Sequence, residues 1–230
     1  MRVLAVVPAR CGSKGFPNKN IAKIEGKTLL ELAVNVGKNC EVVDDVYVST
    51  DCVEYENIAI KAGANSLGLR PKEFATDTAK SIDVIIDILN KLEKKYDYLV
   101  LLQPTSPIRK PEDIKKMIEI LEKNSVDASV SVCEFEEPHP YKLKTTNEKG
   151  FVKPFIEGTT SEVPRQSLPK IYALNGAIYV TKVDVILDEK TFLPEKTIPY
   201  KMSQNINIDS EEDFIFLEAM VKKNRVEIYK

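Results

Sequence analysis

Val3–Val7 is an uninterrupted apolar run, the pattern of a strand covered on both faces. The period then changes. Over Thr28–Cys40, Leu29, Leu32, Ala33 and Val36 recur at helical spacing. Asp45–Ser49 (DVYVS) reads as a strand, and Val53–Ala62 as a helix ended by Gly63. Ser81–Lys95 is amphipathic, with Ile82, Ile85, Ile86 and Leu89 on its stripe and Ser81 near its start. Tyr98–Leu102 is a second buried strand. Pro111 opens a helix running to about Asn124, because proline suits a first helical turn. Ala128–Cys133 and Ala177–Val180 read as strands, and a final helix starts near Ser210. Alternating strands and helices predict an α/β fold with a mostly parallel sheet and helices on both faces. Such sheets bind ligands at the carboxyl ends of their strands. The loop after Val7 and the segments after Ser49 and Leu102 should therefore share one rim.

The rhythm fails between about Glu134 and Leu174, a polar stretch with several prolines and repeated basic residues. Two readings fit it: a loop excursion, or a β-rich arm that packs on a second subunit. The rest reads as a single domain over residues 1–230, without repeats or a linker.

Composition narrows the function classes. Of 230 residues, 43% are hydrophobic, enough for a proper core. Charged residues make up 30% but cancel to a net −2, so a nucleic-acid partner is not expected. No apolar run approaches the ~20 residues of a membrane span, and no signal-peptide pattern fits, so no membrane partner is expected. Cys11, Cys40, Cys52 and Cys133 are scattered, and His139 is the single histidine. Neither a disulfide framework nor a Cys/His zinc site follows, and the expected compartment is the cytoplasm. His139, between Pro138 and Pro140, reads as structural.

The loop after the first strand runs Pro8-Ala9-Arg10-Cys11-Gly12-Ser13-Lys14-Gly15-Phe16-Pro17-Asn18-Lys19-Asn20. Glycines allow close backbone approach to a ligand. Ser13 and backbone amides can donate to phosphate oxygens, and Arg10, Lys14 and Lys19 supply positive charge. The pattern is neither GxxxxGK[ST] nor GxGxxG. Phosphate binding and a solvated basic turn are the two readings, and three cations directly after a buried strand favour phosphate.

This loop resembles the PARxGSKGxPxKN signature of the acylneuraminate cytidylyltransferases. Further blocks are similar and in the same order. They are Ser49-Thr50-Asp51, then Arg70-Pro71 with Asp77 and Ser81, and then Leu102-Gln103-Pro104-Thr105-Ser106-Pro107-Ile108-Arg109. The last runs from Arg165-Gln166 through Pro169 and Tyr172 to Asn175-Gly176-Ala177-Ile178-Tyr179. The resemblance implies a Rossmann-like nucleotide-diphospho-sugar transferase fold with a small dimerisation arm at about 134–174, and hence a homodimer. It implies CTP and a sialic-acid-like nine-carbon α-keto sugar acid as substrates, with Mg²⁺ (or Mn²⁺) as cofactor. The anomeric hydroxyl attacks the α-phosphate and pyrophosphate leaves. Legionaminic acid or another ulosonic acid is an alternative acceptor, and a catalytically weak nucleotide-binding homologue is the rival from another class.

The same resemblance distributes roles. Arg10, Lys14 and Lys19 would act on the phosphates, together with Ser13 and Asn20. Arg70, Ala79 and Ser81 would lie near the cytosine. Gln103 would meet the sugar, unless it only braces the PTSP turn that Thr105 and Ser106 shape. Lys142 and Arg165, on the arm, would contact the sugar carboxylate or the phosphates, with solvation the other reading for Lys142. Asn175 and Tyr179 would line the sugar pocket. Phe192 has two readings, against the sugar or in the core.

One block departs from the family. An Asp-x-Asp before the last helix is the usual metal pair, but this chain reads Asn207-Ile208-Asp209. Residues i and i+2 of an extended segment face the same side. Asn207 then offers an amide oxygen where a carboxylate is usual, and Asp209 is the stronger metal candidate. Helix capping is the other reading of Asp209 and Ser210, with Asp213 at the capping-box position.

Overall fold

The computed structural model describes residues 1–230 apart from Lys14, Asp77, Glu136, Gln204 and Asn205. Lys14, named above for the phosphates, and Asp77 therefore lie outside the described residues. Among the described residues, eleven strands and six α-helices follow one another. β1 (Val3–Pro8) is followed by the short hairpin β2 (Lys23–Ile24) and β3 (Lys27–Thr28), then α1 (Leu29–Lys38) and β4 (Asp45–Ser49). Next come α2 (Val53–Lys61), β5 (Asn65–Ser66), α3 (Ser81–Lys91), β6 (Tyr98–Leu101) and α4 (Pro111–Asn124). β7 (Ala128–Phe135), β8 (Lys144–Thr146), β9 (Val152–Pro154) and β10 (Ile171–Lys182) follow. The chain ends with α5 (Val183–Glu189), β11 (Thr197–Met202) and α6 (Glu211–Lys222).

The main sheet has the order β11-β7-β10-β6-β1-β4-β5. β1 shows why its run is apolar without alternation. Val3, Ala5 and Val7 pack into one core cluster with α1, α2 and α4. Leu4 and Val6 pack into the opposite cluster with α3 and α5. Both faces of the strand are thus removed from water, at roughly 25 cal/mol per Å² of apolar surface. α1 begins where the sequence changes period. Thr28 Oγ1 accepts from the Glu31 amide at 3.1 Å, and Glu31 Oε2 accepts from the Thr28 amide at 2.7 Å. This capping box contributes about 1 kcal/mol.

Two expectations are corrected. α3 stops at Lys91 instead of Lys95, because Leu92 and Tyr96 turn inward and the Tyr96 hydroxyl donates to Asp45 Oδ2 at 2.7 Å. β10 begins at Ile171, well before Ala177, and is interrupted by a bulge instead of a turn. It also runs antiparallel to both β6 and β7, while the pairings β1–β4, β1–β6, β4–β5 and β11–β7 are parallel. The antiparallel return has a simple cause. The chain leaves β7 without a crossover helix and re-enters the sheet from the same end.

That intervening stretch is built of 3-10 turns and the β8–β9 hairpin. It is less polar at its surface than its composition suggests, since Phe151, Val152 and Phe155 are exposed. His139 is 4% exposed, accepts from the Tyr141 amide and meets the Pro169 carbonyl oxygen at 3.1 Å, which fits a structural role.

Candidate active site

The carboxyl ends of β1 and β6 open onto a cleft of about 470 Å³. Arg10, Ser13, Gly15, Lys19 and Asn20 enter it from the loop after β1. Arg70, Phe74, Thr76, Ala79, Ser81 and Val84 line it from the segment leading into α3. Gln103, Pro104 and Thr105 come from beyond β6, and Asn207 and Asp209 from the segment before α6.

The loop is held by its own backbone. Asn20 is 5% exposed, and its Nδ2 donates to the Arg10 carbonyl at 3.0 Å. Tyr55 on α2 donates to Asn18 Oδ1 at 3.2 Å, and burial raises its hydroxyl pKa well above the ordinary phenol range. The loop packs directly on the Asp209 segment. A Cβ at Gly15 would sit 2.7 Å from the Asp209 carbonyl oxygen, so only glycine fits there. Lys19 Nζ donates to the Ile208 carbonyl at 2.7 Å and to Asp209 Oδ1 at 3.0 Å.

Arg70 is anchored where β4 ends. Its amide donates to the Thr50 carbonyl at 2.8 Å, and its guanidinium donates to the Ser49 carbonyl through Nη2 and to the Phe74 carbonyl through Nη1. Burial lowers its pKa, partly offset by Asp51. Ala79 and Ser81 bracket the start of α3, and the first turn of that helix lines the cleft. Its free amides and positive dipole end favour electron-rich groups nearby.

The far wall is organised by Arg109, a residue to which the sequence reading gave no role. It is 2% exposed, and its Nη1 donates to the carbonyls of Gln103 (2.7 Å), Ser106 (3.0 Å) and Ala177 (2.7 Å). Burial pushes its pKa down to about 9. Among the described residues, its Nε and Nη2 have no partner. One guanidinium thus fixes the Gln103–Ser106 turn against β10. Opposite that turn lies Gly176, with φ +71°, in the β10 bulge. A Cβ there would meet Ser106 Oγ at 2.8 Å and Gln103 Oε1 at 2.9 Å.

Asn207 and Asp209 face the same cleft, as the i, i+2 spacing predicts. Ser106 Oγ donates to Asn207 Oδ1 at 3.0 Å, and Asn207 Nδ2 donates to Asp209 Oδ2 at 2.8 Å. Ser210 caps α6 and forms the capping box with Asp213, whose pKa is lowered by the backbone amides of Asp209 and Ser210.

Four residues named for the sugar are placed elsewhere within this chain. Asn175 is buried inside the bulge, where its Oδ1 accepts from Ser131 Oγ at 2.6 Å and from the Ala177 amide at 3.1 Å. It shapes the turn that presents Gly176 and does not itself line the cleft. Tyr179 packs on Phe192, ring centroids 5.9 Å apart, in the core cluster under α3 and α5. Burial raises its hydroxyl pKa. Phe192 accordingly takes the core reading. Lys142 ends a 3-10 turn on the arm. Arg165 pairs with Glu137 at 3.2 Å and lines a separate cavity of about 210 Å³ with His139 and Pro169.

A family model described as "Cytidylyltransferase" matches residues 4–228. The chain belongs to the cytidylyltransferase family. Among its relatives, the N-acylneuraminate cytidylyltransferase of Streptococcus agalactiae is 35% identical over 219 residues, 94% of this chain and 52% of that protein. The chain thus spans about half the length of that relative. The CMP-N,N'-diacetyllegionaminic acid synthase of Legionella pneumophila is 34% identical, covering 98% of both chains. A solved CMP:2-keto-3-deoxy-manno-octonic acid synthetase complexed with CTP superposes with a TM-score of 0.73. The match covers 97% of this chain and 100% of that one, and at 17% identity it shows the shared fold. The family match begins within β1 and ends beyond α6.

Proposed function

We propose that this protein transfers CMP from CTP to the anomeric hydroxyl of a sialic-acid-like nine-carbon α-keto sugar acid, releasing pyrophosphate. One observation carries the reading. Residues far apart in sequence, from the phosphate loop, the α3 approach, the Gln103 turn and the Asp209 segment, converge on one cleft. The family membership and the N-acylneuraminate relatives support the choice of chemistry.

In this reading Arg10 and Lys19 neutralise the triphosphate, and Ser13 donates to a phosphate oxygen, so charge leaving with pyrophosphate is met by fixed cations. Arg70 and the start of α3 hold the cytosine. Gln103, fixed through its carbonyl by Arg109, presents an amide to a sugar hydroxyl or N-acyl group. Among the described residues, no three His, Cys, Asp or Glu cluster to hold a metal by themselves. Asp209 and Asn207 instead offer a carboxylate and an amide oxygen on the cleft. Such a sparse oxygen set suits Mg²⁺ or Mn²⁺ that is otherwise held by water and phosphate. Asp209 Oδ1 now accepts from Lys19 and its Oδ2 from Asn207 Nδ2, so an ion at Asp209 would displace one of these donors. When bound, the ion would neutralise charge on the triphosphate.

The assembly we propose is a homodimer through the arm, supported by the exposed Phe151, Val152 and Phe155 of the β8–β9 hairpin. Lys142 and Arg165 would then work on the partner's cleft, which accounts for their distance from the cleft of their own chain. A cytoplasmic location is supported by the need for CTP and by four cysteines that form no disulfide among the described residues.

The end-to-end match to the Legionella pneumophila protein favours a second acceptor, a legionaminic-type sugar acid. Pyrophosphate release from CTP and Mg²⁺, measured across a panel of nonulosonic acids, tests both readings. Release with one member establishes the activity and names the acceptor. Nucleotide binding without release from any member would leave a binding protein in place of an enzyme.

A further inference from the structure

The β1–β4 ladder ends with Pro8 opposite Ser49 and continues as a hydrogen bond from the Ala9 amide to the Ser49 carbonyl at 2.9 Å. Three residues further along both segments stand Cys11 and Cys52. The Cys11 amide donates to Asp51 Oδ1 at 2.8 Å, which ties the phosphate loop to the end of β4. The Cys52 amide is fixed by Thr50 Oγ1 at 3.2 Å, and Cys52 stands at the N-cap of α2. Both cysteines are half-buried and pack against the same core cluster. Neither cysteine lies in the ladder, which ends at Pro8 and Ser49, but paired strands about 4.8 Å apart set the spacing at which the two segments leave it. A disulfide spans Cα separations of about 4.4–6.8 Å. The two side chains also sense each other: burial raises the Cys11 thiol pKa, and contact with Cys52 raises it further. The remaining cysteines are differently placed. Cys40 is buried with its thiol toward the Pro111 carbonyl, and Cys133 is buried beside Asn175. The proposed transferase chemistry uses neither Cys11 nor Cys52.

We propose that Cys11 and Cys52 form a dithiol site which a small-molecule disulfide converts to an intramolecular bridge, locking the phosphate loop to the end of β4. The exchange balances without another reagent. One protein thiolate attacks RSSR, forms a mixed disulfide and expels RS⁻. The second thiolate attacks the protein sulfur of that mixed disulfide and expels a second RS⁻. The pair is oxidised by two electrons, RSSR is reduced to two RSH, and the two protein thiol protons end on the released thiols. The bridge lies between Arg10 and Ser13 on one side and the strand end that anchors Arg70 on the other. We expect a loop fixed in this way to hold a triphosphate less well. Formation of the bridge is independent of the transferase reading, whereas its effect on CTP rests on that reading.

The test incubates the full chain with glutathione disulfide and maps its peptides with and without later dithiothreitol. The expected product is a Cys11–Cys52 linked peptide, lighter by two hydrogens and reversed by the reductant. Calorimetry should show CTP affinity falling about tenfold in the bridged form and recovering on reduction. Cys52→Ser should give no linked peptide, and its unmodified form should bind CTP as reduced wild type does. Glutathione adducts without a linked peptide, or a bridge to Cys40 or Cys133, would overturn the site. A Cys11–Cys52 bridge that leaves CTP affinity unchanged would overturn the lock. If even the reduced protein fails to bind CTP, the transferase reading fails, while the linked peptide still decides the bridge.

Discussion

Lys19 Nζ lies 3.0 Å from Asp209 Oδ1, so the cation of the phosphate loop and the proposed metal carboxylate hold each other across the cleft. Their pairing explains how two segments 190 positions apart keep a common geometry before substrate arrives. It also means that triphosphate must compete with Asp209 for Lys19, and a metal must compete with Lys19 for Asp209.

Lys19→Ala is expected to lower turnover by about 10²–10³-fold, the effect of removing one charge-stabilising donor from an enclosed site. Stability should change little, because a pair with one exposed partner is worth roughly 0–1 kcal/mol. Steady-state pyrophosphate release and a thermal melt check both halves. Near-normal turnover would remove Lys19 from the chemistry.

Where the resemblance implies a carboxylate, this chain has Asn207, whose Nδ2 donates to Asp209 Oδ2. Asn207→Asp removes that donor and sets two carboxylates side by side. The variant should need less Mg²⁺ for half-maximal activity, since a carboxylate attracts a hard dication more strongly than an amide does. Without metal, CTP should bind more weakly, because negative charge has been added beside the triphosphate. An unchanged Mg²⁺ titration, together with an active Asp209→Ala, would make Asp209 a helix-start residue only.

The exposed aromatic residues of the β8–β9 hairpin give the dimer a direct test. Phe151→Glu with Phe155→Glu should convert a dimer to a monomer by light scattering at micromolar concentration, with little change in the fold of each chain. A parent protein that is already monomeric and fully active would dispose of the arm. If Arg165 acts across the interface, Arg165→Ala mixed with Lys19→Ala should recover activity after subunit exchange. No recovery would place Arg165 in its own chain's site.

Much of this architecture was legible in the sequence, for physical reasons that can be traced. β1 betrayed its burial because both of its faces meet helices, and α4 announced its start through Pro111. The phosphate loop stood out because three cations follow a buried strand. What stayed hidden depends on distant contacts. Asn175 and Gly176 fall in a bulge that interrupts the β10–β7 pairing, where Ser131 bonds to Asn175 and to the Ile178 backbone. Asn175 therefore looked like a pocket residue when it is part of the wall's frame. The antiparallel return of β10 follows from the missing crossover helix, which the irregular 134–174 stretch obscured.

Arg109 is the clearest residue that local sequence could not interpret. An arginine between Ile108 and Lys110 reads as surface, yet it is buried and its Nη1 serves three carbonyls at once. Burial lowers its pKa, with no carboxylate contact to offset the shift. Its bonds to Gln103 and Ala177 join the two walls that meet at Gly176. Arg109→Met keeps much of the volume and removes every donor. Three carbonyl oxygens then lose a charged partner, and the cost should be about 3 kcal/mol or more by urea unfolding. The effect on function should be specific. The Gln103 turn would drift while the phosphate loop, held by Asn20 and Tyr55, stays in place. The KM for the sugar should therefore rise by at least about tenfold, with the KM for CTP changed much less. Arg109→Lys can restore one or two of the three bonds and should recover part of the stability and part of the sugar KM. Equal losses for both substrates in the methionine variant, with no rescue by lysine, would show that Arg109 supports the fold at large and has no particular hold on the Gln103 wall.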